Sequence, residues 1–369
     1  MKKLSVLILV LALLLPLTAF SSGSGLPAGA PSCSVKITED PEFEQIELEI
    51  SINSFNGLGF RYGDSCNILL ANGDLLKDIP YYNGYYCRTG ETQIVAYPGY
   101  THVHIAVCNG DDPTWTFYGC REGDIVTVTL AEAGKYLGVQ NALNTVYSDD
   151  RADYPDDAVF ANFRALSGGR LRKDVFFRGA SPVNDTCNRA GFTDRLIRET
   201  GIRYVLDLAD TRETIAKYAE TSRPEYFLSL YDEGLVVPLG LTAAYRSAPY
   251  QASLVSGLRE MMRHDGPYYI HCTEGKDRTG FVCMLLEALS GADEAALEAD
   301  YMKTYANYYG ILPGSERYNA ILDVKFRDLC GWLTELGNGN AEEGAKAYLN
   351  RGGMTRKEIG DLQRFLTAE

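Results

Sequence analysis

"IHCTEGKDRTGF", Ile270–Phe281, sets one cysteine directly behind a histidine, in a short charged loop that also holds a lysine and an arginine. The preceding "PYYI" has strand character, and the helical pattern resumes at Arg278, six positions after Cys272. A strand–loop–helix junction turns backbone N–H groups and the positive end of a helix towards one spot, which suits a phosphate dianion. The same field favours a thiolate and moves a cysteine from about 8.5 towards about 3.5–7.5. Arg278 is suited to grip two phosphate oxygens at once, where a lysine acts only as a point charge. Gly275 permits the backbone angle a tight loop needs. The Thr279 hydroxyl is placed to bond the sulfur, and His271 to fix the loop through a backbone hydrogen bond. None of the other eight cysteines has an arginine six positions on.

Outward from this loop the chain reads as strands alternating with helices. "KDVFFRG", "IRYVLDLAD" and "GLVVPLGL" are strand candidates, and "NRAGFTDRLIRETG" and "QASLVSGLREMMRHDG" are helices. Helical pattern then fills 279–289, 293–309, 315–336, 341–350 and 355–366. This is the pattern of an α/β domain with a mostly parallel central sheet flanked by helices. It spans 158–369 and follows an acidic linker, 148–157.

Residues 33–147 read differently. Short strand-like runs at 35–37, 46–52, 66–70, 93–96, 102–107 and 125–130 alternate with Asn-Gly and Glu-Gly turns, as in a small β-sandwich or barrel-like domain. "PYYNGYYC", Pro80–Cys87, has the Asn-Gly signature of a tight type I′ hairpin. His102 and His104 put two imidazoles on one strand face. No cysteine or carboxylate close in sequence completes a metal set, so a solvated face is expected.

Met1-Lys2-Lys3 followed by the apolar run Leu4–Leu17 reads as a signal peptide over 1–22, with a flexible leader at 23–32. The implied localisation is secreted or extracytoplasmic, with no stable membrane insertion after cleavage. Export permits disulfides, and an odd count of nine cysteines leaves at least one thiol free; Cys272 is the one expected. The net charge of -14 and the absence of a basic stripe exclude nucleic acid as a partner. Any anionic ligand is captured by a local site working against that field.

The segment "HCTEGKDRTG" resembles the signature loop of cysteine-dependent protein tyrosine phosphatases. "GKDRTG" is most similar to the atypical bacterial branch that acts on phosphotyrosine and, in some members, on phosphoinositides. The resemblance extends from about Val159 to the C-terminus through "NFRALSGG", "FFRGASPV" and "IRYVLDLAD" with Thr211-Arg212-Glu213, and does not cover the β-rich domain. It implies a metal-free and cofactor-free phosphoric monoester hydrolase of the protein-tyrosine-phosphatase type. Cys272 is then the nucleophile, and the amides of Thr273, Glu274, Gly275, Lys276, Asp277 and Arg278 hold the phosphate with the Arg278 side chain. Many members carry the general acid on a separate loop, but the corresponding "GLTAAYRS" here has no carboxylate. The branch's own pattern points to Asp277, with Asp232, Asp207 and Asp210 as alternatives. Lys276, a second cation, keeps phosphoinositides or inositol phosphates open beside phosphotyrosine proteins. An inactive phospho-ligand-binding module, or an interaction module of the envelope, is the reading of another class.

Overall fold

The computed structural model describes residues 29–40, 44–108 and 112–367. The signal peptide and the leader up to residue 28 lie outside the described residues. Ser32, expected in the leader, already belongs to the first strand.

Seven strands close into a barrel: β1 Ser32–Glu39, β2 Ile46–Ser51, β3 Ser65–Leu69, β4 Leu75–Tyr82, β5 Thr92–Val95, β6 His102–Val107 and β7 Ile125–Glu132, in the order β1-β2-β6-β5-β4-β3-β7. Closure leaves no unpaired edge. Inward residues fill the interior, among them Ile37, Leu48, Ile68, Ile105 and Val128, all fully buried. Phe55 and Phe60 stack at 4.1 Å within the same core.

Two expectations for this half fail. The Asn83-Gly84 pair does not close a tight hairpin, because β4 and β5 run parallel, Tyr81 beside Ile94 and Tyr82 beside Val95. Gly84 instead lies under the tip of the Tyr86 ring, 2.5 Å from where a Cβ would stand. Nor is the His102–His104 face solvated throughout: His102 is partly exposed, but His104 is not. Glu47 stands opposite His104 across the β2–β6 ladder. Its carboxylate lies 3.2 Å from His104 Nε2 and 2.9 Å from His102 Nδ1, and His104 is buried. Among the described residues no group of three or more His, Cys, Asp or Glu is arranged to hold a metal ion.

The second sheet has five strands: β8 Arg164–Ala165, β9 Phe176–Gly179, β10 Tyr204–Asp207, β11 Val236–Pro238 and β12 Tyr268–His271, in the order β11-β10-β12-β9-β8. All are parallel except β8. Every residue of β9, β10 and β12 is buried, as a sheet covered on both faces requires. Side chains alternate between two cores. Tyr204, Leu206, Tyr268 and Ile270 face the helices Ala248–Met261 and Asp277–Leu289. Val205 and Tyr269 face the helices Ala190–Thr200 and Glu225–Asp232. From Thr279 to Leu289 the central helix is buried all round, which explains why that stretch lacks a polar stripe.

The helix expected over 315–336 is broken into Glu316–Ile321, a π-helical turn Leu322–Phe326, and Arg327–Leu336. The acidic stretch 148–157 is tied down: Asp149 pairs with Arg189 at 2.8 Å and Arg151 with Asp157 at 2.5 Å. From Pro31 onward the chain forms one compact unit, with no helix among the described residues long and apolar enough to cross a membrane.

Candidate active site

The quoted loop leaves the C-terminal end of β12 in the middle of the parallel sheet and enters the helix Asp277–Leu289. Cys272 is its first residue and is buried. Among the described residues no acceptor takes a hydrogen bond from the Thr273, Glu274, Gly275 or Lys276 amides. The first turn of the helix adds amides without intrahelical partners. The junction therefore offers a set of N–H donors beside a sulfur.

Gly275 shows how closely this loop is held. Its φ is +65°, and a Cβ would lie 2.1 Å from the Gly179 carbonyl oxygen and 2.8 Å from the Ala180 nitrogen. Only glycine fits the angle and the approach together. The Gly275 carbonyl accepts from Arg178 Nη2 at 2.9 Å and from Asn162 Nδ2 at 3.1 Å. Arg178 is fully buried and paired with Asp300, which also takes Arg164 Nε at 2.7 Å.

Arg278 donates from Nη1 to the Leu241 carbonyl at 2.8 Å and from Nη2 to Thr273 Oγ1 at 3.2 Å. Burial works against its charge, yet Cys272, then Tyr245 and Asp277, hold the guanidinium above its ordinary range. The Arg278 side chain thus folds back along the loop to the residue next to Cys272. All nine cysteines are free in the structure, Cys272 among them.

His271 is fully buried, and its Nδ1 lies 3.3 Å from the Cys272 carbonyl. Burial pushes its imidazole down to about 4, so it is neutral at ordinary pH. The Thr279 hydroxyl is fully buried but makes no hydrogen bond, so the expected bond to the sulfur is absent. The Tyr250 hydroxyl is likewise buried without a partner; Cys272 and Arg278 both act on it electrostatically.

The loop cations are not equivalent. Lys276 Nζ lies 2.7 Å from Glu274, 3.3 Å from Tyr309 Oη and 3.7 Å from Asp277. Burial alone would lower its pKa, but Glu274 and Asp277 raise it well above the usual value. Burial would likewise raise Glu274, and Lys276 outweighs it and holds the carboxylate low. Glu274 also accepts from Tyr147 Oη at 2.5 Å. Lys276 is therefore satisfied from within the protein.

The four candidate acids separate clearly. Asp277 is half exposed at the start of the central helix. Asp207 sits beside His271 at the end of β10, fully buried, with Oδ1 accepting from the Ala209 and Asp210 amides at 2.9 and 3.0 Å. Asp210 is buried and accepts from Thr214 Oγ1 at 3.2 Å; the cap of the next helix is Thr211, not Asp210. Burial pushes both carboxyls up to about 6. Asp232 ends the helix Glu225–Asp232, ahead of β11. Because β11 runs parallel to β10 and hence to β12, Asp232 lies at the opposite end of the sheet from Cys272.

Arg178, Asp300, Asn162, Tyr147 and Tyr250 escaped the sequence reading as site residues. One signal was present: an arginine inside the apolar strand "VFFRGA" needs a buried partner.

The sequence matches the tyrosine phosphatase family over residues 160–368, more than half of its length. No curated protein matches it. Similar solved structures include the core catalytic domain of the PP-IP phosphatase SIW14 from S. cerevisiae in complex with citrate, at 12% identity and a TM-score of 0.26, covering 48% of this chain and 97% of that one. An uncharacterized conserved protein from Thermotoga maritima is similar at 17% identity and a TM-score of 0.24, covering 27% of this chain and only 36% of that one. With the family match spanning both the loop and the sheet that carries it, the chain belongs to the tyrosine phosphatase family.

Proposed function

We propose that the protein hydrolyses phosphate monoesters through a cysteinyl-phosphate intermediate on Cys272, with phosphotyrosine in proteins as its substrate. The Cys272 thiolate attacks phosphorus. The S–P bond forms as the bond to the ester oxygen breaks, and Asp277 gives that oxygen its proton. Asp277 then takes a proton from water, whose oxygen attacks the phosphocysteine. The S–P bond breaks, releasing inorganic phosphate and restoring the thiolate. The loop amides and the Arg278 guanidinium hold the phosphoryl oxygens throughout.

One observation carries this reading: Cys272 opens a loop between a strand end and a helix start, and the Arg278 guanidinium folds back along that loop to the neighbouring Thr273 Oγ1 at 3.2 Å. Asp277 is favoured as the acid because it alone of the four candidates is both on that loop and open to a substrate. Phosphotyrosine is favoured over inositol phosphates because Lys276 is already neutralised by Glu274 and is not offered to a second phosphate. The basic start and apolar run at Met1–Leu17 support export, with the substrate outside the cytoplasm.

The test is turnover, with a chelator present, of a phosphotyrosine peptide, a phosphoserine peptide, a phosphoinositide and inositol hexakisphosphate. Preference for phosphotyrosine, lost in Cys272→Ser, is the expected result. Preference for the inositol compounds would replace the substrate class. Binding of the phosphopeptide without turnover would replace the enzyme by a binding module.

A further inference from the structure

The segment between β4 and β5 reaches out of the barrel and grips the helices beside the loop that follows β11. Thr89 donates twice to Asp328 Oδ2, from its backbone nitrogen at 3.0 Å and from Oγ1 at 2.6 Å. Next to it, Lys325 Nζ, in the π-helical turn, donates to the Tyr85 carbonyl at 2.6 Å. The other Asp328 oxygen lies 3.7 Å from Arg246 Nη2. Arg246 is stacked over Trp332 at 4.7 Å, and its carbonyl accepts from Gln251 Nε2 at 2.9 Å. Arg246 belongs to the 239–247 loop, and five residues earlier in that loop the Leu241 carbonyl takes Arg278 Nη1 at 2.8 Å.

We propose that Thr89 and Asp328 are positioning residues for the phosphatase reaction. The barrel holds Asp328, Asp328 holds Arg246, and the loop so anchored keeps the Leu241 carbonyl where it orients the Arg278 guanidinium. This rests on the reading of Cys272 and Arg278 given above. The physical reason for an effect on rate is that Arg278 must match the trigonal-bipyramidal transition state more closely than the tetrahedral substrate. A guanidinium whose second anchor has slackened still binds a phosphate, but meets the transition state in the wrong orientation. Asp328 is mostly buried, so its charge is not merely solvated on the rim. The Arg88–Asp323 pair at 2.5 Å is half exposed and serves as a comparison at the same junction.

The experiment uses the full chain and follows hydrolysis of p-nitrophenyl phosphate per titrated active-site thiol. Inhibition constants for vanadate, a trigonal-bipyramidal mimic, and for inorganic phosphate are measured alongside. Asp328→Asn keeps the shape and removes the charge facing Arg246. Expected is a fall in kcat of about 3- to 30-fold, the usual range for coupling carried through contacts. Vanadate should weaken by a similar factor and phosphate by less than about twofold. Thr89→Ala should show the same split, Thr89→Ser should restore it, and Arg88→Ala should leave it unchanged. A lower melting temperature with kcat per thiol and the vanadate-to-phosphate ratio intact would overturn the proposal. So would Thr89→Ser failing as badly as Thr89→Ala. Failure of the unmodified protein to turn over the aryl phosphate would instead remove the parent reading.

Discussion

Arg178, fully buried on β9, donates from Nη2 to the Gly275 carbonyl at 2.9 Å and thereby ties the sheet to the middle of the Cys272–Arg278 loop. A charge held in such a place needs a counter-charge, and Asp300 supplies it while also holding Arg164. Removing the arginine leaves Asp300 in the interior with Arg164 as its remaining cation and unties the Gly275 carbonyl. Arg178→Ala should therefore cost about 3–5 kcal/mol, the usual penalty for breaking a buried pair from one side. Urea unfolding of the two proteins measures it. A loss below about 1 kcal/mol would mean that water replaces the guanidinium without penalty.

Gly275 provides a cleaner separation of rate from stability. Alanine there meets the Gly179 carbonyl at 2.1 Å and keeps a φ that L-residues rarely adopt. The loop must shift, and with it the amides beside Cys272. A misplacement of this kind costs about 100-fold in kcat/KM. The sheet beneath is buried on both faces and remains intact, so the melting temperature should change far less than the rate. Steady-state kinetics and thermal melting of Gly275→Ala check both halves.

The loop itself was legible in the sequence because its chemistry is contiguous: Cys272 to Arg278 carry strand end, turn glycine and helix start in one run. The parallel sheet was legible because β10 and β12 are apolar up to their last residues, Asp207 and His271. What escaped is contributed by distant segments. Arg178 and Asn162 meet at the Gly275 carbonyl, with Asp300 paired to Arg178 behind them, only after folding, and no local period links them. Asn83-Gly84 misled because its turn propensity is local, whereas parallel pairing of β4 with β5 and the Tyr86 ring beside Gly84 are tertiary facts. The first part of β4, ahead of Pro80, was missed because Lys77 and Asp78 interrupt its apolar pattern; Asp78 takes a left-handed φ of 61° where the β3–β4 register shifts.

Lys276 invited the idea of a second phosphate subsite, and its contacts alter the expectation. Glu274, Asp277 and the Tyr309 hydroxyl already surround the ammonium. Lys276→Ala leaves Glu274 without its cation beside the loop, which repels the reacting phosphate of either kind of substrate. The fall in kcat/KM should be about tenfold for both an aryl monophosphate and inositol hexakisphosphate, about 1.4 kcal/mol in each case. A loss several times larger for the hexakisphosphate would show that Lys276 does reach a second phosphate.

Glu287 makes stability depend on pH. Burial, then Asp300, pushes its carboxyl up to about 8, against the pull of Arg178, the Gly168 amide and Arg164. Its Oε1 accepts from that amide at 3.1 Å, while Oε2 has no partner. The folded state then holds a proton that the unfolded chain has released above about 4.3. Where the folded state binds more protons, stability falls as pH rises. Glu287 should thus lower stability progressively from about pH 4.5 to 8, its effect levelling off above 8. Asp207 and Asp210, both pushed up to about 6, slope the same way at lower pH, while His271, pushed down to about 4, opposes them below about 6.5. Between about pH 6.5 and 8 Glu287 is the main one of these four still titrating. Urea unfolding across that window should show a downward slope in the unmodified protein that Glu287→Gln flattens. An unchanged slope in the variant would mean that Glu287 is ionised throughout, balanced by the arginines behind the loop.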